Sequence, residues 1–194
     1  TNADGFYRFR DFYNKEPLPL DLYVLVCFSF NHQIRFNNNM QYNNPFGKDR
    51  SSFSKSLEEK LLSFINRLHG INTDFYSLDF TEFDYSQLTT EDLVYCDPPY
   101  LISTAAYNDG KRGFKGWNEE LELALLNKLD ELNEKGVRFA LSNVLEHKGK
   151  TNRILEKWSV KYKVHHISHN YSNSNYQTKN RDRESTKEIL VTNY

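Results

Sequence analysis

The sequence contains little cysteine and no long apolar run, and both shortages narrow the class of protein. Its 194 residues include two cysteines, Cys27 and Cys96. Both lie inside apolar runs, a pattern that favours buried free thiols over a disulfide and is typical of cytoplasmic proteins. The longest apolar run, Leu22–Phe28, is much shorter than the ~18 residues that a membrane-spanning helix needs. No charged-then-apolar signal segment opens the chain, so we expect a cytoplasmic protein without membrane contact.

Clustered metal ligands are also missing from the sequence. His165, His166 and His169 lie in or just after a predicted strand. Zinc sites combine histidines with cysteines or carboxylates at short spacings, and no such cluster accompanies these three residues. We predict surface or core histidines and no metal.

The formal net charge of -1 conceals a strong asymmetry along the chain. Residues 61–146 carry 7 Lys and Arg against 15 Asp and Glu, whereas residues 147–194 carry 10 against 4. A basic end on a nearly neutral protein fits a surface for a polyanion, and it fits a solvated basic face equally well. The charge alone does not separate these two interpretations.

The first third of the chain predicts helices and a turn-rich hairpin. Two helices are expected at 5–17 and 18–30, with a break at the prolines between them. The Asn-rich stretch 34–47 predicts a loop or hairpin. A third helix is expected to begin with a capping box at Ser56 and to end at Gly70.

The rest of the chain alternates strands with helices. Residues 74–80 predict a strand, and residues 92–97 predict a second one without polar alternation, as in strands covered on both faces. A long helix is expected from Asn118 to Lys135, with Gly136 as its cap. The last predicted elements are a strand at 137–143, a helix near 149–158, a strand at 159–167 and a strand at 187–193. This alternation predicts an α/β fold with a parallel or mostly parallel sheet, in which ligands bind beyond the carboxyl ends of the strands.

The stretch VYCDPPY closes the second of these strands with Asp97, Pro98, Pro99 and Tyr100. A carboxylate and a fixed backbone carbonyl can each accept one N–H of an exocyclic amino group, which draws the nitrogen lone pair out of the ring plane and makes it a nucleophile. The preset φ of proline places the Pro98 carbonyl at little entropic cost. The ring of Tyr100 can stack on a base that has left its duplex. A strand followed by a Pro-rich turn is the simpler alternative.

Aromatic side chains alternate with amide and basic ones between residues 28 and 50. Amide and guanidinium groups can bond to purine edges, while aromatic rings wedge between bases or stack on them. A solvated hairpin with a small aromatic core is the alternative that composition leaves open. The candidate DNA contacts are Phe30, Asn31, Gln33, Arg35, Asn43, Lys48 and Arg50, together with Tyr107 from a later loop.

Taken together, these stretches resemble a known family. VYCDPPY carries the Asp-Pro-Pro-Tyr signature of DNA methyltransferases that methylate amino groups with S-adenosylmethionine. VYCDPPY, the later LSN and EILVTNY, and FNHQIRFNNNMQYNNPFG at residues 30–47 are similar to segments of the Dam-like, D12 class adenine-N6 DNA methyltransferases. In that family the last of these segments has the form F-N-G-L-x-R…F-N-V-P-F-G. The ordered set covers most of the chain.

The resemblance implies both a fold and a reaction. The fold is a Rossmann-like α/β methyltransferase sheet, partial in this chain, with a small helical target-recognition region. Residues 1–70 would form that region, and residues 71–194 would form the C-terminal part of the catalytic domain. The implied reaction transfers a methyl group from S-adenosylmethionine to adenine N6 in double-stranded DNA, within a restriction-modification or phage modification system.

The resemblance also implies roles at the proposed active site. Asp97 and Pro98 would hold the target amine, and Tyr100 would stack on the adenine. Asp97 would also lie near the methyl donor, as would Asp79 and Phe80 at the end of the earlier strand. An ordinary strand end explains the last two residues equally well.

By the same resemblance, Phe30 and Asn31 would approach an opened base pair, and Arg35 would read a base. His32 and Gln33 stand where the family has glycine and leucine in this segment. Lys48 and Asp49 stand where the family has a basic and an aromatic residue after Pro-Phe-Gly. These departures leave the recognised DNA sequence open.

Two other functions stay open. An enzyme with the same pocket chemistry could methylate cytosine N4 or an RNA base, although Asp rather than Ser at position 97 favours adenine. A DNA-binding remnant that has lost its methyl-donor site is the alternative without catalysis. Binding of the donor separates that remnant from the two enzymes.

A glycine-rich turn that the family uses is missing from this sequence. In the family it joins a strand to a helix, where the backbone must approach the donor closely. None of the eight glycines of this chain lies in such a context. We therefore expect the C-terminal part of a methyltransferase that lacks much of the donor pocket and is feebly active or inactive alone. Missing strands would also expose a sheet edge and favour a homodimer.

Overall fold

The computed structural model describes residues 2–48, 51–102, 116–167 and 186–194. The described chain forms two compact units, of which the first runs to Tyr76 and the second begins at Ser77. Each unit has its own hydrophobic core. The helices and strands in chain order are α1 Ala3–Tyr13, α2 Pro19–Phe28, α3 Lys55–His69, β1 Leu93–Cys96, α4 Glu119–Glu134, β2 Arg138–His147, β3 Lys150–Thr151, α5 Arg153–Ser159, β4 Lys163–Ile167 and β5 Thr186–Thr192.

Local sequence signals start the helices of the first unit. The Asn2 side chain accepts a hydrogen bond of 2.7 Å from a backbone N–H in the first turn of α1 and so caps that helix. Pro19 opens α2, where its missing N–H costs nothing. Both predicted helices are confirmed. The third also forms, but its cap is Ser54 rather than Ser56, because it is the Ser54 hydroxyl that reaches the Leu57 N–H.

α3 ends at Gly70 as predicted, but no segment that the structure describes buries its apolar face. None of its residues is buried, and the side chain of Phe64 is 59% exposed. Helical spacing predicted where the apolar residues lie on the helix, but it did not predict their burial.

Residues 29–47 form the predicted turn-rich hairpin between α2 and α3. Isolated antiparallel bridges join Ser29 to Phe46 and Phe36 to Tyr42. Phe36 and Tyr42 are buried and anchor the hairpin to the two preceding helices. Their core partners are Phe6, Tyr13 and Leu25.

Buried polar groups hold one arm of this hairpin. The Tyr42 hydroxyl lies 2.7 Å from Ser29 Oγ and donates to the Gln33 carbonyl at 3.0 Å. The side-chain amide of Asn44 donates to the carbonyls of Phe30 and Gln33 at 3.0 and 2.8 Å. Burial raises the pKa of Tyr42, so its hydroxyl keeps the proton that it donates. Because unpaired buried polar groups are costly, these bonds fix the backbone of the arm.

A mixed sheet forms the second unit. The strand order is β1-β2-β5-β4, and β3 pairs with the far end of β2. β1 and β2 are parallel, whereas the other described pairs are antiparallel. The α/β class is therefore confirmed, but the prediction of a mostly parallel sheet is wrong for the described strands. Parallel neighbours need a long crossover, usually a helix, and no described helix lies between β4 and β5.

Two further predictions about the strands are wrong. Residues 74–80 form no strand, because a strand needs a partner for its backbone N–H and C=O groups and no described strand pairs with this segment. β1 is covered on one face rather than on both. Leu93 and Tyr95 are 53% and 62% exposed, whereas Val94 and Cys96 pack against the core.

α4 and α5 pack against the core of the second unit. α4 spans the predicted range, and its buried Leu125, Leu129 and Leu132 share a core with Phe139 and Leu141 of β2. Full burial of a leucine side chain contributes roughly 1.5–3 kcal/mol, so this stripe largely decides how α4 packs. α5 begins later than predicted because the short strand β3 takes up residues before it.

One charged side chain lies inside this core. Glu122 of α4 is 0% exposed. Trp117 Nε1 donates to its Oε2 at 2.5 Å, and the side-chain amides of Asn143 and Asn152 donate to its Oε1 at 3.2 and 2.8 Å. Asn152 also caps α5, accepting from the Leu155 N–H at 3.0 Å. The carboxylate therefore joins α4 to β2, to the start of α5 and to the segment before α4.

Replacing Glu122 by alanine should destabilise the second unit strongly. We expect the free energy of unfolding to fall by roughly 3 kcal/mol or more, because each buried donor left unpaired costs about 1–3 kcal/mol. Both tryptophans of the chain, Trp117 and Trp158, lie in the second unit. A guanidinium titration followed by tryptophan fluorescence therefore measures the stability of this unit.

The matched control is Glu120→Ala, which removes an exposed carboxylate from the same helix and should cost less than about 1 kcal/mol. Glu122→Gln keeps the side-chain volume but offers only one acceptor oxygen, so its stability should lie between the two. Equal stability of the Glu122→Ala and Glu120→Ala chains would contradict the role given to the buried carboxylate.

Replacing Tyr42 by phenylalanine should loosen the hairpin arm that carries Gln33. The ring keeps its packing, and the hydroxyl contacts with Ser29 and Gln33 are lost, at a cost of about 1 kcal/mol. Amide hydrogen exchange should accelerate at residues 30–35 and stay unchanged in α4. Tyr13→Phe is the matched control, since that ring packs edge-on against Tyr42 with 6.2 Å between centroids. An equal acceleration in both variants would show that the Tyr42 hydroxyl has no special role.

Candidate functional site

The carboxyl end of β1 carries Asp97. Cys96, the last residue of β1, pairs with Leu141 of the parallel strand β2, so both strands direct their carboxyl ends to the same edge of the sheet. Asp97 is exposed at that edge, and the Pro-Pro-Tyr that follows it is half-buried. Asp97 therefore lies where parallel strands commonly place their ligands.

The chain around Asp97 is stiff. Pro98 and Pro99 have fixed φ angles, and the pairing of β1 with β2 holds the residue before Asp97 in place. Burial raises the pKa of the Cys96 thiol to about 11, so this neighbour stays neutral near pH 7 and is a poor nucleophile. Both cysteines are free, as predicted. Among residues 93–100, which form β1 and the motif, the Asp97 carboxylate is the exposed acid at this corner of the sheet.

A cleft of about 330 Å³ opens directly after this motif. Leu101 and Ile102, which follow Tyr100, form one wall. The other lining residues are Glu119 at the start of α4 and Lys150, Thr151, Asn152, Arg153 and Ile154 from β3 and α5. The sequence carried no signal for this cleft, because its walls come from segments that are distant along the chain.

Asp79 and Phe80, the predicted border of a donor site, lie in the same unit as Asp97. The Thr81 hydroxyl and backbone N–H donate to the Asp79 carboxylate at 2.6 and 2.9 Å, and these hydrogen bonds lower the pKa of Asp79. Phe80 is half-buried, and its ring lies 5.8 Å from that of Trp117. Since the strand expected before them is absent, a turn positions the two residues.

The described candidate DNA contacts lie on the hairpin of the first unit. Asn43 is half-buried, and its side-chain oxygen has no hydrogen-bond partner among the described residues. The hairpin presents aromatic, amide and basic side chains to solvent together. The exposed side chains among the predicted contacts are those of Phe30, Asn31, Gln33, Arg35 and Lys48.

The backbone of this hairpin is left-handed at Met40, with a φ of 63°, and at two consecutive residues near its start. Asn31 and His32 have φ values of 53° and 52°, in the left-handed region that residues with a Cβ seldom adopt. Glycine occupies the position of His32 in the family that the segment resembles. Such strain persists only where the surroundings hold it, and the buried side chains of Tyr42 and Asn44 supply bonds to the adjacent backbone.

Sequence reasoning missed these buried polar groups. Tyr42 and Asn44 stand where the pattern F-N-V-P-F-G has Phe and Val. A hydroxyl and an amide in place of two apolar side chains was the signal that could have identified them. The buried Glu122 was missed as well, because an acidic residue in an amphipathic helix is ordinarily assigned to the exposed face.

Some predicted features lie outside the described residues. These are Arg50, Tyr107 and His169. Within the described ranges, no group of three or more His, Cys, Asp or Glu side chains could hold a metal ion. No helix in those ranges is long and apolar enough to pass through a membrane.

Known proteins similar to this chain are DNA-modifying enzymes. A family model described as D12 class N6 adenine-specific DNA methyltransferase matches residues 1–173. The type II methyltransferase M.FokI of Planomicrobium okeanokoites is 57% identical over 194 residues, which are 100% of this chain and 30% of that protein. The modification methylase StsI of Streptococcus sanguinis is 52% identical over 196 residues, again 100% of this chain and 30% of the relative. The DNA adenine methylase of Escherichia coli K12 is 24% identical over 167 residues, 84% of this chain and 56% of that enzyme.

The chain thus spans about 30% of the length of the first two of these relatives. The family model nevertheless extends across both units, from the first helix to beyond β4. The resemblance that the VYCDPPY and hairpin motifs indicated is confirmed. This chain belongs to the D12 class N6 adenine-specific DNA methyltransferase family.

Proposed function

We propose that this chain supplies the amine-binding strand and a DNA-reading region of an enzyme that transfers a methyl group to adenine N6 in double-stranded DNA. The observation that carries the proposal is Asp97, exposed at the carboxyl end of β1, stiffened by two prolines and followed by a cleft. Identities of 57% and 52% to a type II methyltransferase and a modification methylase support a place in a restriction-modification system.

The proposed chemistry begins with the adenine amino group. Asp97 accepts one of its N–H groups and the Pro98 carbonyl accepts the other. These acceptors draw the nitrogen towards tetrahedral geometry, so its lone pair leaves the ring plane and can attack. Positive charge develops on nitrogen during the attack, and acceptors that are already in place stabilise it without reorganising. Tyr100 offers a ring on which the extruded base stacks.

S-adenosylmethionine, when bound, would supply an electrophilic methyl group: its bond to sulfur would break as the bond to adenine N6 forms, the donor would leave as S-adenosylhomocysteine, and the amino group would lose one proton to solvent. Asp97, Asp79 and Phe80 are the residues of this chain that would border it. The fit is partial, because Gly136 joins a helix to a strand and Gly149 turns a hairpin, so neither forms the strand-to-helix turn that lets a backbone approach such a ligand. A complete donor site therefore needs residues beyond those that the structure describes.

The finer fold assignment is part of the proposal. Residues 71–194 would be the C-terminal part of a Rossmann-like catalytic domain, and residues 1–70 would be its target-recognition region. The parallel pair β1–β2 with an acid at its carboxyl end supports the first assignment. The exposed aromatic, amide and basic side chains of the hairpin support the second.

DNA binding without catalysis is the second candidate, and the partial donor fit favours it. Equilibrium binding of radiolabelled donor to the chain separates the two. Methylation of cytosine N4 or of an RNA base uses the same pocket chemistry, but Asp97 and the adenine-specific family favour adenine. No observation supports the homodimer expected from an exposed sheet edge, although β1 pairs only with β2 among the described strands.

Replacing Asp97 by alanine should lower methyl transfer at least about 10²-fold, the effect of losing one fixed stabilising group. DNA binding should be largely retained, because phosphate contacts supply most of the affinity. Transfer of labelled methyl groups to a duplex, and a gel-shift titration, measure the two properties in the intact enzyme that contains this chain. Asp74→Ala, which removes an exposed acid of the first unit, is the control. Turnover near that of the unaltered enzyme would rule out the proposed role of Asp97.

Replacing Arg35 by alanine should relax base preference at one position of the recognition site, at a cost of about 1–3 kcal/mol. A guanidinium that forms paired hydrogen bonds to a guanine edge discriminates by about that amount. Binding to a panel of duplexes with single base changes measures the effect. Arg67→Ala, on an exposed part of α3, is the matched control. An equal weakening on every duplex would make Arg35 a phosphate contact instead.

A further inference from the structure

The second unit carries a basic hairpin, formed by the end of β2 and by β3. None of the residues of the proposed active site or of the proposed DNA contacts lies on it. β2 continues beyond Leu141 to His147 and pairs there with β3. Lys148 and Gly149 form the tip, with φ values of 48° and 76°. Lys148, Gly149 and Lys150 are all exposed.

This hairpin projects from the edge of the sheet that carries Asp97. Leu141 pairs with the last residue of β1, so the six further residues of β2 run roughly 20 Å past that level at about 3.3 Å per residue. Lys150 also lines the same cleft as Leu101 and Ile102, which follow the Asp-Pro-Pro-Tyr motif. The lysines of the hairpin and the proposed amine site therefore belong to one face of this unit.

The two lysines carry charge that no acid in the described part of the chain neutralises. Neither Lys148 nor Lys150 forms an ion pair within the described part of the chain. Among the carboxylates around them, Glu146 is paired with Lys187 at 2.9 Å and Glu156 with Arg153 at 2.7 Å. Glu119, across the cleft, is the remaining acid in its lining.

His147 lies at the base of the tip, where its surroundings disfavour a positive charge. Its Nδ1 lies 2.8 Å from Thr186 Oγ1. Burial, followed by the charges of Lys148 and Lys150, lowers the pKa of His147. The positive potential at the tip therefore comes from the two lysines.

We propose that Lys148 and Lys150 contact the phosphate backbone of the DNA substrate beside the nucleotide whose base enters the amine site. This inference rests on the proposed function and adds a second DNA surface, separate from the hairpin of the first unit. An ammonium group is a compact point charge that suits phosphate oxygens without reading a base. Such contacts set the position of the DNA strand relative to Asp97 while the hairpin of the first unit supplies sequence preference.

The double variant Lys148→Asn, Lys150→Gln tests this surface. Asparagine tolerates the left-handed conformation that Lys148 adopts, so the tip keeps its turn. Binding of a fluorescent duplex to the full chain is measured by anisotropy over a range of salt concentrations. Each lost phosphate contact lowers the slope of log affinity against log salt concentration by about 1, so the slope should fall by about 2. The loss should be equal on duplexes of different sequence.

The control is Lys135→Gln, Lys163→Gln, which removes the same charge from exposed positions at the amino end of β2. Its slope should stay within about 0.5 of that of the unaltered chain. An unchanged slope in the hairpin variant, or the same fall in the control, would overturn this inference and leave the proposed function standing. Failure of the unaltered chain to bind any duplex would overturn DNA reading by this chain and the hairpin contact with it.

Discussion

A buried carboxylate constrains the whole second unit. Glu122 carries an ionisable side chain into an apolar core, which is costly unless its oxygens find donors. The donors come from β2, from the cap of α5 and from Trp117, so α4 can pack only in the register that brings all three together. Trp117 in turn packs against Phe80. The same network that closes the core therefore positions the proposed border of the donor site.

In the first unit, buried neutral side chains have the role that the Glu122 carboxylate has in the second: they need hydrogen-bond partners, and those bonds fix the segments that supply them. Tyr42 and Asn44 bond to backbone carbonyls of the arm that exposes Phe30 and Gln33. Two consecutive left-handed residues in an exposed arm are costly, and these buried bonds help to hold them in that conformation. In the first unit, buried polar side chains hold the arm whose residues would meet DNA, and in the second, Glu122 holds the Trp117 ring against which the half-buried Phe80 packs. The exposed residues themselves contribute little to their own position.

The parallel pairing of β1 with β2 gathers the remaining features at one edge. It places Asp97, the cleft after the motif and the basic hairpin on the same side of the sheet. Methylation of a base needs a carboxylate that accepts a hydrogen bond from the amino group, and it needs contacts that hold the DNA strand in position. Two strands that run in the same direction can supply both, because one ends at the acid and its neighbour continues past it.

Local features of this protein were determined by the sequence itself. Helical periodicity and the Gly136 stop predicted α4, and VYCDPPY indicated the family, because helical period, a terminating glycine and a short ordered motif each depend on residues that are close together in the sequence. The unpaired segment 74–80, the exposed face of β1, the antiparallel return of β5 and the three donors of Glu122 were decided only by the tertiary structure. Each of these features depends on which distant segments of the chain come into contact. A strand is stable only beside another strand that bonds to its backbone, and a buried carboxylate is stable only beside hydrogen-bond donors.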